Sequence, residues 1–367
     1  MPRSRRKVDV DALSFQVLRE DGTLADGVAE PDVDAEMLFR IYRTMALVRT
    51  LDERMMALQR QGRVGFYGAA TGQEAAIVGS AAALEPHDWV LPALRESGVA
   101  LFRGYPLRKY VAQVMGNAND ILKGRQLACH YGDRSVHYVP MSSNVGTQIP
   151  HAVGAAMAAK LRRDRTVVIG YMGDGATSTQ DFHVAMNFAG VLRPPVVLFC
   201  QNNQFSISVP VRLQTASETI AEKALAYGFE GLRVDGNDAI AVYLATRYAV
   251  DKARGGGGPT FIEALTYRIG AHSSSDDPSR YRDESVTAEW RTRRDPLARL
   301  RAFLMARGAL TEEKDAALRK QLDDDVRAAI ADEEPVGPPA VETMFEDVYA
   351  RMPPHLQEQL AEHTRRR

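Results

Sequence analysis

Residues 167–203 read VVIGYMGDGATSTQDFHVAMNFAGVLRPPVVLFCQNN. An apolar run ends in Gly173-Asp174-Gly175, a helical pattern follows, and a second apolar run ends in Asn202-Asn203. Strand, helix, strand is the reading, with a polar loop after each strand. A dinucleotide-binding turn offers bare backbone N–H groups and a helix N-terminus to a pyrophosphate. Asp174 would meet those phosphates with like charge, and no acid ends the next strand to hold a ribose. A divalent cation reconciles both facts. The Asp174 carboxylate and one asparagine amide oxygen supply hard ligands, and Mg²⁺ bound this way keeps positions for phosphate oxygens. Both loops leave the carboxyl ends of strands, where ligands bind in open α/β sheets.

The same rhythm continues outward. The spacing predicts strands over 166–172, 195–200, 230–236 and 260–270, and helices over 178–192, 215–228 and 238–258. Apolar strands alternating with helices indicate an α/β fold, a mostly parallel sheet with helices on both faces. Upstream, residues 34–62 carry helical periodicity, with Asp34 as N-cap and Gly62 as stop. Small residues dominate 70–84 and 144–162, which implies close packing, and the stretches 69–84 and 146–159 are candidates for inter-subunit contact. Residues 1–33 form an N-terminal extension, 34–300 the main domain, and 301–367 a C-terminal segment of amphipathic helices. The basic cluster near the N-terminus has no apolar run behind it and reads as a solvated end rather than a secretory signal. The 367 residues carry a formal charge of −1, which points to neither nucleic acid nor membrane as a partner. No apolar run reaches the roughly 18 residues of a membrane helix. Cys129 and Cys200 stand far apart, as in a reducing compartment: the bacterial cytoplasm, or alternatively the mitochondrial matrix.

Gly-Asp-Gly followed about 26 residues later by Asn-Asn resembles the thiamine diphosphate-binding motif. With MSSNVGTQIPHAVGAAMAAK (141–160), NNQFSIS (202–208) and EALTYRIGAHSSSDDPSRYR (263–282), the chain resembles the α subunit of the thiamine-dependent dehydrogenases of 2-oxo acid dehydrogenase complexes, the branched-chain type above all. The likeness covers about residues 35–300. It implies the thiamine diphosphate-binding fold and, as cofactors, thiamine diphosphate, Mg²⁺ and a structural K⁺. By residue, it implies that Asp174, Asn203 and the Phe205 carbonyl hold Mg²⁺, and that Arg95, Gly173, Gly175 and Ala176 meet the diphosphate. Ser143 and Val145 match positions beside the cofactor rings, and Ser142, Thr147 and Gln148 match the K⁺ site. His272 matches a catalytic histidine heading a loop that closes over the cofactor, with a proton-transfer role suited to an imidazole near pH 7. Phe66 and Leu94 match the substrate pocket. The resemblance further implies a β chain that supplies a glutamate, an α₂β₂ heterotetramer, and acyl transfer from a 2-oxo acid to a lipoylated acyltransferase core.

Two positions depart from the family pattern. Leu94 stands where tyrosine is usual, which bears on substrate choice, and Gln201 stands where some branched-chain enzymes place a second diphosphate-binding arginine. Plainer readings stand beside several assignments: Arg95 as a surface ion-pair residue, His272 as a loop histidine, Ser142, Thr147 and Gln148 as caps, and Phe66 as core. His151 reads as helix packing, and His130 and His137 are poorly spaced for a metal. Ser273 occupies a position that is phosphorylated in some relatives. The competing functions are a pyruvate or acetoin dehydrogenase α subunit, an inactive cofactor-binding subunit, and a nicotinamide-dependent dehydrogenase, against which Asp174 speaks.

Overall fold

The computed structural model describes residues 14–346 and 348–365; the basic N-terminal cluster lies outside them. Residues 14–33 contain no helix, and Phe15 bridges Val234 in parallel, exchanging backbone hydrogen bonds with Arg233 and Asp235. Helix α1 (Ala35–Arg60) begins where Asp34 accepts from the Met37 amide at 2.7 Å, and Gly62 follows its end at φ 73°. A cap of this kind contributes about 1 kcal/mol. The chain continues through α2 (Glu74–Ala82), β1 (Trp89–Leu91), α3 (Ser97–Phe102) and α4 (Leu107–Met115). Next come α5 (Gln148–Arg162), β2 (Val168–Gly173), α6 (Gln180–Leu192), β3 (Val196–Asn202) and a small hairpin, β4 (Phe205–Ser206) with β5 (Val209–Pro210). Then β6 (Glu230–Asp235), α7 (Ala239–Arg254) and β7 (Thr260–Leu265) complete the sheet, and α8 (Glu284–Arg293), α9 (Pro296–Ala306), α10 (Glu312–Glu333) and α11 (Pro354–Arg365) follow.

The five main strands lie in the order β1-β2-β3-β7-β6, all parallel. Side chains alternate across the pleat and divide the interior into two cores. Ile169, Tyr171, Val197, Phe199 and Ile262 pack with α1, α2 and α7. Val168, Met172, Leu198, Cys200 and Phe261 face α5 and α6. Gly170 lets α5 approach β2 closely, since a Cβ there would sit 2.7 Å from the Ala152 methyl. Residue 300 falls inside α9, and α9 and α10 contribute Phe303, Leu322 and Val326 to the α1 side of the core. No helix among the described residues is long and apolar enough to cross a membrane.

The structure corrects three local expectations. The segment 215–228 forms a 3₁₀ turn only over Ala221–Tyr227. The buried Glu263 carboxylate accepts from the Ile220 and Ala221 amides and starts the turn there, while Thr215 and Ser217 close a local hydroxyl pair upstream. The predicted strand 260–270 ends at Leu265, opposite Asn202, the last residue of β3; the Thr266 amide still bonds to the Asn202 carbonyl, and beyond it the Arg268 amide turns to Asn203 in the loop after β3. The small-residue helix α2 is buried on every side within this chain, against α7, α3 and α1, so it has no face left for another subunit. Small residues serve the chain's own close packing there. Helix α5 differs, leaving Gly154, Ala155, Ala158 and Leu161 exposed.

Candidate active site

Four loops at the carboxyl edge of the sheet surround a cavity of about 300 Å³. The loop after β1 brings Leu94 and Arg95, the loop after β2 brings Asp174–Ala176, the loop after β3 brings Asn203 and Phe205, and the chain after β7 brings Arg268 and His272. Ser142, Ser143, Val145 and Gln148 complete a wall beside α5. The short strand β1 is absent from the sequence reading, and it is the element that delivers Arg95.

Asp174 is buried, and burial raises its carboxyl to about 6 against the opposing effect of its hydrogen bonds and of Arg268. Its Oδ2 accepts from Gln214 Nε2 at 3.0 Å, whereas its buried Oδ1 meets no donor at hydrogen-bonding geometry. Such an oxygen is costly unless something positive faces it. The two asparagines have separate tasks. Asn202 donates to Glu263 at 2.7 Å and serves the fold. Asn203 donates its amide N–H to Gln73 Oε1 at 3.1 Å, so its Oδ1 is oriented away from that contact, where the Phe205 amide approaches at 3.3 Å. Asp174 Oδ1, Asn203 Oδ1 and the Phe205 carbonyl thus form a set of oxygens suited to a hard cation. Gly175 is required by close approach: a Cβ would lie 2.2 Å from Ser206 Oγ and 2.6 Å from its Cβ.

Two buried guanidiniums border the same cavity. Burial, then the neighbouring Arg268, lowers Arg95 to about 10, and burial also lowers Arg268. Arg95 donates to the Ala69 carbonyl and, at 2.7 Å, to that of His272. Arg268 donates to the Ile207 carbonyl at 2.6 Å and to that of Phe205 at 3.3 Å. An anion between such cations relieves their mutual repulsion, and a diphosphate has the charge to do so. Gln201 donates to the buried Glu96, whose carboxyl burial raises to about 7; Glu96 in turn accepts from the Ala93 and Arg95 amides and fixes the turn that carries Arg95.

His272 does not behave as an ordinary imidazole. Burial, Arg95 and Arg268 lower it to about 4, so the ring is neutral at pH 7, with Nδ1 3.5 Å from the Arg95 guanidinium. The two cations that suit an anion thus also lower the proton affinity of the histidine. The loop it heads is pinned at two points, with the His272 amide on Asp276 at 2.7 Å and Ser274 bonded reciprocally to the Tyr67 backbone. Ser143 Oγ lies 2.7 Å from His130 Nε2, and His130 Nδ1 lies 3.0 Å from the Ala128 carbonyl. An Nδ1–H tautomer satisfies both contacts, and the Ser143 hydroxyl then donates to the ring. Val145 is exposed at the mouth. Thr147 Oγ1 donates to the Asn144 carbonyl, Ser142 Oγ accepts from the Asn144 amide, and Gln148 donates to the Tyr171 carbonyl, each keeping an oxygen for a further contact. Thr147 and Phe66 stand outside the cavity lining, and Phe66 packs on the core.

Residues 42–342 match the family model described as dehydrogenase E1 component. The chain belongs to the dehydrogenase E1 component family. It is 42% identical over 352 residues to the human 2-oxoisovalerate dehydrogenase subunit alpha, mitochondrial, covering 95% of this chain and 79% of that one. It is 39% identical over 345 residues to the Arabidopsis thaliana 2-oxoisovalerate dehydrogenase subunit alpha 2, mitochondrial, covering 94% and 73%. The Caenorhabditis elegans 2-oxoisovalerate dehydrogenase subunit alpha, mitochondrial, is 39% identical over 346 residues, covering 94% and 80%. Within this E1 chain, the sequence reading overlooked four residues that shape the site: Gln73, Glu96, Gln214 and Arg268. Only Arg268 left a usable trace, a lone cation within the predicted strand 260–270. Gln73 and Gln214 act on side chains 130 and 40 positions away, and Glu96 meets Gln201 from 105 positions away.

Proposed function

We propose that this chain is the α subunit of a branched-chain 2-oxo acid dehydrogenase, which decarboxylates the acid oxidatively and passes the acyl group to a lipoylated acyltransferase. The observation that carries this reading is the buried, unpartnered Asp174 Oδ1 beside two buried guanidiniums, a site fitted to a metal diphosphate. The 2-oxoisovalerate dehydrogenase relatives favour the branched-chain acid over pyruvate. The apolar Leu94 on the cavity wall suits a branched side chain.

In this reading Asp174, Asn203 and the Phe205 carbonyl hold Mg²⁺, while Arg95, Arg268 and the Gly175 backbone hold the diphosphate. Thiamine diphosphate, when bound, supplies the electron sink that lets a 2-oxo acid lose carbon dioxide. His272, neutral and oriented through Nδ1, offers Nε2–H as a donor, and a bound anion raises its affinity for a second proton. The 272–276 loop, pinned to Asp276 and Tyr67, would cover this edge of a bound cofactor. Ser143, its proton directed to His130, would keep lone pairs for a donor of the cofactor, and Val145 would offer it an apolar contact.

The partner in this reading is a β-type chain seated across the cavity mouth. Val145 and Ile207 at the mouth are more than half exposed, and Leu161 of α5 with Val184, Phe188 and Val191 of α6 are further exposed apolar side chains. Exposed apolar area of this breadth favours a protein contact. The mitochondrial names of the relatives support the matrix over the bacterial cytoplasm, and the two free, buried cysteines suit either reducing compartment. The test is co-expression with a β-type chain of the same dehydrogenase, followed by decarboxylation rates for 2-oxoisovalerate and pyruvate. The branched acid should be preferred and the isolated chain inactive. Full activity without a partner, or a preference for pyruvate, overturns the corresponding part of the proposal.

A further inference from the structure

We infer that Gln214 is a positioning residue for the metal, a strut that decides which oxygen of Asp174 faces the cavity and ties that carboxylate to the segment carrying Phe205. The inference rests on the metal diphosphate reading of the site. Gln214 lies 40 positions from Asp174 and outside every stretch that the sequence motif covers.

The geometry is that of a clamp. Gln214 Nε2 donates to Asp174 Oδ2 at 3.0 Å and to the Val209 carbonyl at 3.2 Å. The residue is itself fixed by its backbone N–H on the Val211 carbonyl at 2.9 Å, and the Val211 amide closes on the Gln204 carbonyl at 3.0 Å. Residues 204–214 thereby fold back across the Gly-Asp-Gly turn, with Ser206 pressed against Gly175. One side chain connects two loops that contribute oxygens from different strands.

The choice of an amide has a physical reason. A carboxylate with both oxygens available rotates about its Cβ–Cγ bond and shares its charge between them. Occupying Oδ2 with a neutral donor stops that rotation and leaves Oδ1 directed elsewhere, without cancelling the negative charge a cation needs. Arginine or lysine at position 214 would hold Asp174 as firmly and would compete with the metal for its charge. The second side-chain ligand is treated alike: Gln73 Oε1 takes the Asn203 amide N–H at 3.1 Å, leaving the asparagine's oxygen for other use. Partners of this kind typically alter metal affinity 10- to 100-fold when removed.

The experiment measures metal directly. In the purified assembly containing this chain, with thiamine diphosphate present, bound Mn²⁺ is titrated by the loss of its free electron paramagnetic resonance signal. Gln214→Met, which keeps the bulk and removes the donor, is expected to raise the Mn²⁺ dissociation constant at least about tenfold. The melting temperature of the metal-free protein and the thiamine diphosphate affinity at saturating Mn²⁺ should stay near wild type. An Mn²⁺ affinity within about twofold of wild type overturns the inference. So does a fall in melting temperature with cofactor binding weakened equally at every metal concentration, the result expected if Gln214 merely braces the hairpin through Val209. Asp174→Asn separates the two levels: wild-type Mn²⁺ uptake in that variant overturns the metal reading itself. Loss of uptake there, with uptake kept in Gln214→Met, overturns the strut alone.

Discussion

The charge on His272 decides what this residue can do, and it can be measured. Folding lowers the ring from its ordinary 6.5 to about 4, through burial first and then Arg95 and Arg268. That fall corresponds to roughly 3 kcal/mol of preference for the neutral ring. Partial exposure of the ring screens it, leaving about 2 kcal/mol. The sign follows from proton uptake: between these two values the unfolded chain binds a proton that the folded chain refuses. Stability from the neutral ring is therefore complete above 6.5 and is lost as the pH falls toward 4. Between pH 7.5 and pH 5 the wild type should lose about 1 kcal/mol more than His272→Asn, read by urea unfolding. Carbon-13 labelling of the histidine Cε1 positions should give a cofactor-free midpoint near 4, assigned by its disappearance in His272→Asn. Arg95→Met should move the midpoint upward, and Mg²⁺ with thiamine diphosphate should move it upward too, because an anion favours the imidazolium. A cofactor-free midpoint at or above 6 would show that Arg95 and burial do not discharge the ring, and the account of His272 as a neutral, oriented donor would fail.

Two further outcomes test the scaffold. Arg49, midway along α1, links the buried Glu74 at the start of α2 to Asp295 at the start of α9, so Arg49→Met should cost about 3–5 kcal/mol in urea unfolding by leaving Glu74 buried and unpaired. Glu74→Gln in the same chain should recover most of the loss, and an additive double variant contradicts the pairing. Gly175→Ala should cost about 1–3 kcal/mol through overlap with Ser206 and weaken Mg²⁺-dependent cofactor binding, with Ser206→Gly restoring both. Unchanged unfolding and binding in Gly175→Ala refute the close-approach argument.

Much of the site was legible in the sequence because its motif is local. Asp174 and Asn203 end neighbouring parallel strands, so the spacing between them follows from one strand-helix-strand unit. Arg95 and His272 were legible only by resemblance, since the three-residue strand that carries Arg95 is too short to show a period. The 215–228 helix failed for the opposite reason. Its helical pattern is real, and Glu263, a residue of another strand, set where the turn begins. The small-residue pattern of 69–84 likewise signalled close packing without saying against what, and the answer was the chain's own α7.

What the sequence by itself determined is the set of short-range facts: the alternation of strands and helices, the acid between two glycines, the asparagine pair, and thus a parallel sheet with a hard-cation motif at its edge. These depend on the period of apolar residues and on the intrinsic chemistry of neighbouring side chains. Only the tertiary structure decided which asparagine serves the fold, which oxygen of Asp174 stays unpartnered, that Arg268 joins Arg95 at the cavity, and that both cations act to lower the His272 ring. Each of these depends on burial and on charges brought from distant parts of the chain, and desolvation and Coulomb energies are set by distance in space rather than separation in sequence.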